Sequence, residues 1–89
     1  MHETGIVKDL VRRLEEVARA GHALRISRAR VWIGALSQFS SYHFAEHFEE
    51  EARGTLAEGA TLEVEISADL LDPAAQRVLI RSADLEVKE

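Results

Sequence analysis

Hydrophobic residues recur every three or four positions between residues 5 and 19, with charged residues in most intervening positions. This spacing predicts an amphipathic helix that buries one face. Thr4 precedes the segment as a candidate N-cap, and Gly21 follows it at a position where helices commonly end. The first residues of the chain are therefore expected to be tethered to a rigid element.

A second helix is predicted from Ser40 or Ser41, either of which can cap it, to about Arg53, with Gly54 as its stop. Most of the intervening positions are polar, so this helix should also bury a single face. Three residues at four-residue spacing are expected to face the core: Phe44, Phe48 and Ala52.

Three further segments are predicted to be strands: residues 24–33, 61–66 and 78–87. In the first strand, Leu24 and Ile26 occupy one face. The alternation then shifts by one residue, which indicates a bulge near Ser27 and Arg28.

The predicted order is helix, strand, helix, strand, strand, which is typical of an α+β two-layer sandwich. About ten residues separate the last two strands, and Asp72-Pro73 marks a turn between them. A connection this short predicts that the last two strands run antiparallel.

The 89-residue length and the 46% hydrophobic content fit one small domain spanning residues 1–89. The chain has no cysteine, which excludes disulfides, cysteine–zinc sites and thiol nucleophiles. No segment resembles a signal peptide or a membrane span, so we expect a cytoplasmic protein with no membrane contact. The net charge of -5 argues against nucleic-acid binding. Nucleophile-elbow, phosphate-loop and HExxH motifs are missing from the sequence, so we do not expect an enzyme.

The first three residues, Met1-His2-Glu3, carry the best candidate chemistry. An initiator methionine followed by a bulky histidine is normally retained, so the α-amine, the first backbone amides and the His2 imidazole lie close together. Nitrogen donors arranged in this way can surround a small cation in a plane, a geometry that suits Ni(II) or Cu(II). The alternative is a solvated terminus that binds nothing.

His43 and His47 are four residues apart on the second predicted helix, which puts both imidazoles on one helix face. This spacing can bind a metal, and the pair is a weaker alternative site. The competing interpretation is a polar helix face beside Phe44 and Phe48.

Trp32 is predicted to lie on the strand face opposite Val31 and Ile33, which the helices need not cover. Arg28 and Arg30 alternate with it on the same strand. Trp32 is therefore a candidate anchor for a partner or for a second copy of the chain in a homodimer.

Four blocks of sequence follow one another along the chain: Met-His-Glu at residues 1–3 with Ile6, VWIGALS at 31–37, GTLAEGATLEVE at 54–65 and IRSADLEV at 80–87. In content and order they resemble the HypA/HybF family, the nickel metallochaperones that help mature nickel–iron hydrogenases and, in some organisms, urease. The resemblance implies two helices on one face of a mixed three-stranded sheet. It also implies that Ni(II) is carried as cargo.

The resemblance further implies a ligand set for that nickel ion: the Met1 amine, the backbone nitrogens of His2 and Glu3, and the His2 side chain. Thr4 and Gly5 replace the Leu-Ser that usually follows in the family. The implied partners are a nickel-handling maturation GTPase and either a hydrogenase large subunit or urease accessory proteins.

The chain departs from the family between its last two strands, where the family carries a zinc module with two CxxC pairs. Residues 67–76 form a short connection in that place and contain no cysteine, so we expect a nickel-binding domain without zinc. The alternative function is a metal-independent adaptor that docks maturation partners.

Overall fold

The computed structural model describes residues 3–37 and 39–88. Along the chain it contains five elements: α1 (Glu3–Ala20), β1 (Ala23–Ile33), α2 (Ser41–Ala52), β2 (Thr61–Ile66) and β3 (Val78–Val87). β1 is the central strand of a three-stranded sheet, parallel to β2 and antiparallel to β3. The predicted α+β fold with two helices and a mixed sheet is confirmed.

The last two strands lie at opposite edges of the sheet rather than side by side. β1 pairs with β2 from Arg28↔Thr61 to Ile33↔Ile66, and its other edge pairs with β3. A parallel pair needs a crossover connection, which α2 and its flanking loops provide. β2 and β3 do run in opposite directions, as predicted, but the short connection between them passes the end of β1 and forms no hairpin.

The core lies between the two helices and the inner face of the sheet. Leu14 of α1, Phe44 of α2 and Ile26 of β1 are among its largest fully buried side chains. Burying a side chain of this size stabilises the fold by about 1.5–3 kcal/mol. Phe48 and Ala52 face the same core, as the four-residue spacing predicted. Within the described residues, neither helix has the length and hydrophobicity needed to cross a membrane.

The helix ends agree with the sequence except at Thr4. Within the described residues α1 already includes Glu3, so Thr4 lies inside the helix, and the prediction that it caps the start is wrong. The negative charge of Glu3 favours this earlier start because it complements the helix dipole. At α2, the Ser40 hydroxyl accepts a hydrogen bond from the His43 amide at 3.1 Å, and Gly54 adopts a φ of 77° where the helix stops.

The predicted bulge in β1 is confirmed, and a second irregularity precedes it. The pairing with β3 shifts register between Ile26 and Arg28, after which the core-facing positions change from even to odd residue numbers. Another register shift lies between Ala23 and Arg25. It leaves Leu24 60% exposed, so the prediction that Leu24 shares the buried face of Ile26 is wrong.

The connection between β2 and β3 is attached to the end of β1. The Ser67 amide donates a hydrogen bond to the Ile33 carbonyl at 2.9 Å, and the Leu36 amide donates to the Ala75 carbonyl at 2.7 Å. Ala75 is buried, and a Cβ atom at position 34 would overlap its carbonyl oxygen, so Gly34 permits the close approach. The second half of the connection is therefore packed against the fold.

The first half of the connection should tolerate insertion, because Leu70 and Leu71 are 61% and 92% exposed. About ten Gly/Ser residues inserted between them should destabilise the protein by about 1 kcal/mol or less, since loop closure costs about 0.6 kcal/mol per doubling of length. The same insertion between Ala74 and Ala75 should be more damaging, since it displaces the carbonyl bonded to Leu36. Urea unfolding followed by circular dichroism compares the two variants, and equal destabilisation would contradict this description of the connection.

Candidate metal centre

Of the three residues in the predicted N-terminal nickel site, the structure describes only Glu3. Met1 and His2 lie outside the described residues, whereas Glu3 is the first described residue of α1. The first amides of a helix have no carbonyl one turn before them to accept their hydrogen bonds. The Glu3 amide therefore has no hydrogen-bond acceptor within α1. Its nitrogen is one of the predicted nickel ligands.

The Glu3 side chain points to α2 and meets His47 there. The imidazole Nδ1 lies 3.4 Å from the carboxylate Oε2, and the side chains of His47 and Glu3 are 37% and 23% exposed. The sequence had assigned these two residues to separate candidate sites. Packing of α1 against α2 brings them together.

Two polar atoms of this pair are shielded from solvent without a hydrogen bond to any described residue: Glu3 Oε1 and His47 Nδ1. A buried polar atom left without a partner costs about 1–3 kcal/mol. Native structures contain few such atoms, because most buried polar groups find a partner in the protein or in ordered water. The pair therefore places a partly buried polar contact at the first described residue of α1.

His43, the other member of the histidine pair, has different surroundings. It is exposed, and its ring centroid lies 5.8 Å from that of Tyr42. A hydrogen bond to Glu46 raises the pKa of Tyr42, and the negative charge of Glu46 adds to this effect. Among the described residues, no three His, Cys, Asp or Glu side chains are grouped to hold a metal ion, so the pair has no third donor of these types there.

The outer face of the sheet differs from its prediction at Trp32. Trp32 is 5% exposed, so it cannot serve as an exposed anchor for a partner or a second copy. Arg81 covers it, with the guanidinium carbon 5.6 Å from the centroid of the indole ring. The β1–β3 register shifts between Arg30 and Val31, which makes Arg81 the additional residue on β3. A bulge of this kind redirects a side chain, and a guanidinium over an indole is a favourable contact.

The arginines beside Trp32 are engaged in ion pairs across the strands. Arg28 Nη1 lies 3.1 Å from Glu63 Oε2, and Arg30 Nη1 lies 3.1 Å from Asp84 Oδ1. The hydrogen bond to Asp84 raises the pKa of Arg30. These pairs balance charge on the outer face, so the guanidinium groups of Arg28 and Arg30 already have acidic partners within the sheet.

Comparison with known proteins gives matches over most of the chain. Residues 1–72 match the family described as "Hydrogenase/urease nickel incorporation, metallochaperone, hypA". The hydrogenase maturation factor HypA of Acidithiobacillus ferrooxidans is 34% identical over 64 residues, which cover 72% of this chain and 57% of that protein. HypA of Chlorobium limicola is 40% identical over 65 residues, which cover 73% of this chain and 56% of that protein. The chain thus spans little more than half the length of these relatives.

Two solved structures share the fold. The solution structure of the Ni metallochaperone HypA from Helicobacter pylori superposes with a TM-score of 0.82 at 20% identity, covering 99% of this chain and 100% of that one. A second structure, titled "Solution structure of HypA protein", gives a TM-score of 0.75 at 20% identity, covering 99% and 98% of the two chains. At this identity the likeness establishes the fold alone.

The stability of a Trp32→Ala variant tests whether the side chain of Trp32 supports the fold or is an exposed docking residue. Trp32→Ala should destabilise the protein by about 3–5 kcal/mol, because it removes a large buried side chain. Tyr42→Ala is the matched control, since Tyr42 is 70% exposed and its loss should change stability by about 0.5 kcal/mol or less. Urea unfolding monitored by circular dichroism measures both. A Trp32→Ala protein as stable as the native one would restore the docking interpretation.

Proposed function

Because the chain belongs to the HypA family of nickel metallochaperones, we propose that it binds Ni(II) at its N-terminus and delivers the ion during maturation of a nickel–iron hydrogenase or of urease. The proposal extends the family description, which names nickel incorporation into both enzymes. The relatives described above are hydrogenase maturation factors, which favours hydrogenase. The family consists of maturation factors, so we assign no catalytic activity of its own to this chain.

The proposed ligands are the Met1 amine, the backbone nitrogens of His2 and Glu3, and the His2 imidazole. The observation that carries this assignment is that Met1-His2-Glu3 lies inside the family match, immediately before and at the first described residue of α1. Four nitrogen donors in a plane suit Ni(II). A terminal chelate also suits a protein that must release its ion, because few other residues have to move.

The proposed partners are a nickel-handling maturation GTPase and a hydrogenase large subunit or urease accessory proteins, and the proposed location is the cytoplasm. A second function, that of a metal-independent adaptor docking these partners, is favoured by residues 67–76, which contain no cysteine where the family carries its zinc module. The retained Met1-His2-Glu3 favours the metallochaperone, because an adaptor has no use for those donors.

We further propose that residues 1–89 form a single nickel-binding-type domain without structural zinc. The zinc site that the resemblance implies needs two CxxC pairs, and the sequence has no cysteine to supply them. Residues 67–76 instead make the short connection whose second half packs on Gly34.

The nickel site is tested by changing the terminus and leaving the fold intact. One residue added before Met1, or His2→Ala, should each raise the Ni(II) dissociation constant at least about 10-fold, or about 1.4 kcal/mol. The first variant moves the amine away from the chelate, and the second removes one donor. Isothermal titration of tag-free protein with a free Met1 gives the reference value.

His43→Ala is the matched control, because it removes an exposed histidine from the alternative pair. It should leave nickel affinity within about twofold of the native value. If the extended protein binds Ni(II) as tightly as the native one, the terminal chelate is wrong. A loss in His43→Ala together with an unaffected His2→Ala would assign the ion to the helix pair.

The absence of structural zinc has its own test. Purified protein should contain far less than one zinc per chain by elemental analysis, and a strong chelator should leave its Tm unchanged. Structural zinc sites contribute directly to folding, so a chelator that lowers the Tm or the helical circular dichroism would show that a metal site supports this fold.

A further inference from the structure

We infer that His47 of α2 is a positioning residue for the N-terminal nickel site, acting through the Glu3 side chain. The inference rests on the proposed function for its effect on nickel, whereas the contact belongs to the fold itself. His47 need not bind the ion in this role. It holds the residue whose backbone nitrogen does.

The contact joins two helices at the point where α1 begins. His47 Nδ1 lies 3.4 Å from Glu3 Oε2, and both Nδ1 and the other carboxylate oxygen, Oε1, are shielded from solvent. Shielded polar atoms favour any arrangement that gives them a partner, and Glu3 Oε2 is the nearby acceptor for His47 Nδ1. The packing of α1 against α2 therefore keeps these two polar groups next to each other.

The first turn of α1 needs such an anchor because its sequence is a poor helix former. Thr4 and Gly5 are exposed, and among the described residues no atom beyond the helix's own backbone and the neighbouring residues lies within 4 Å of the position that a Cβ of residue 5 would occupy. Glycine is among the least favourable residues in a helix, and helix ends fray. Val7 is the first fully buried residue of α1, and before it the Glu3 side chain makes a polar contact with α2.

Anchoring Glu3 before the metal arrives should strengthen the chelate. A planar site needs the Glu3 nitrogen in one orientation, and ordering one residue of backbone on binding weakens the affinity. Holding that backbone in advance removes part of this loss, which corresponds to about a 3- to 10-fold change in the dissociation constant. Removing the imidazole should therefore weaken nickel binding without changing its ligands.

The test uses full-length protein with a free Met1 and three variants: His47→Ala, His47→Gln and Glu3→Ala. Amide hydrogen exchange of the metal-free protein at Val7 and Lys8 reports opening of the first turn, because in a helix these amides bond to the carbonyls of residues 3 and 4. Ni(II) titration gives the affinity, and the visible absorption of the nickel complex reports its ligand set.

His47→Ala should speed exchange at Val7 about 3- to 10-fold and raise the nickel dissociation constant by a similar factor, with an unchanged nickel spectrum. His47→Gln should recover most of both effects, because its amide can still donate to the carboxylate. Glu3→Ala keeps the backbone ligand and should match His47→Ala, and the double variant should lose no more than either single one. Exchange near Ala18 should stay constant, whereas a general loss of stability would raise it as well.

His22→Asn is the matched control for removal of an imidazole elsewhere. His22 adopts a φ of 53°, a conformation that asparagine accepts, so this change should leave both measurements at the native value.

Native exchange and native affinity in His47→Ala would overturn the inference. An altered nickel spectrum would also overturn it, since His47 would then be a ligand. If adding a residue before Met1 leaves nickel affinity intact, the proposed function fails, and exchange at Val7 still decides whether His47 holds the first turn.

Discussion

The parallel pairing of β1 with β2 is the constraint on which the rest of the structure depends. Parallel neighbours cannot be joined by a tight turn, so the chain must leave the end of β1, cross one face of the sheet as α2 and return at Thr61. That path lays α2 beside α1 and closes the core around Phe44. It also leaves the second edge of β1 to β3, so one central strand carries both ladders. The meeting of Glu3 and His47 is a consequence of the same crossover.

The five elements could be predicted from sequence because each buries one face and shows that burial in its own spacing. β3 agrees with its predicted limits at both ends, and Ser40 and Gly54 bound α2 as expected. Strand order could not be predicted in this way. A connection of about ten residues after Ile66 indicates the direction of the next strand but not its neighbour, and that neighbour is decided by which edge of β1 remains open.

The exposed and buried positions that were predicted wrongly have one physical origin. Counting alternate residues put Leu24 on the wrong face and left Trp32, which does lie on the outer face, without a cover; both residues lie next to irregularities in the β1–β3 ladder. A bulge changes the count locally and turns neighbouring side chains, as it does when Arg81 is brought over the indole. The bulge near Ser27 could be found because hydrophobic residues continue on both sides of it. A bulge within β3 leaves no such trace in the sequence of β1.

The candidate site was likewise only partly predictable from the sequence. The candidate donors of Met1-His2-Glu3 were predicted from residue identity, and the shared face of His43 and His47 was predicted from their i, i+4 spacing in a helix. Neither shows that His47 has a closer neighbour on another helix, since that depends on how α1 and α2 pack. Spacing along one helix is thus a weak guide to metal sites where a second helix lies alongside. Here the packing separates the two histidines by their surroundings and joins one of them to the terminus.

The connection between β2 and β3 can change in length without changing the pairing of either strand. Each of these strands pairs with β1 independently, and the anchoring bonds from Ser67 and to Ala75 lie near the two ends of the connection. What lies between those anchors, including Leu70 and Leu71, adds little to the core, so its length can change at the small entropic expense of a longer loop. A module placed there would leave the helices, the sheet and the Glu3–His47 contact undisturbed. The start of α1 and its contact with α2 are therefore independent of the length of this connection.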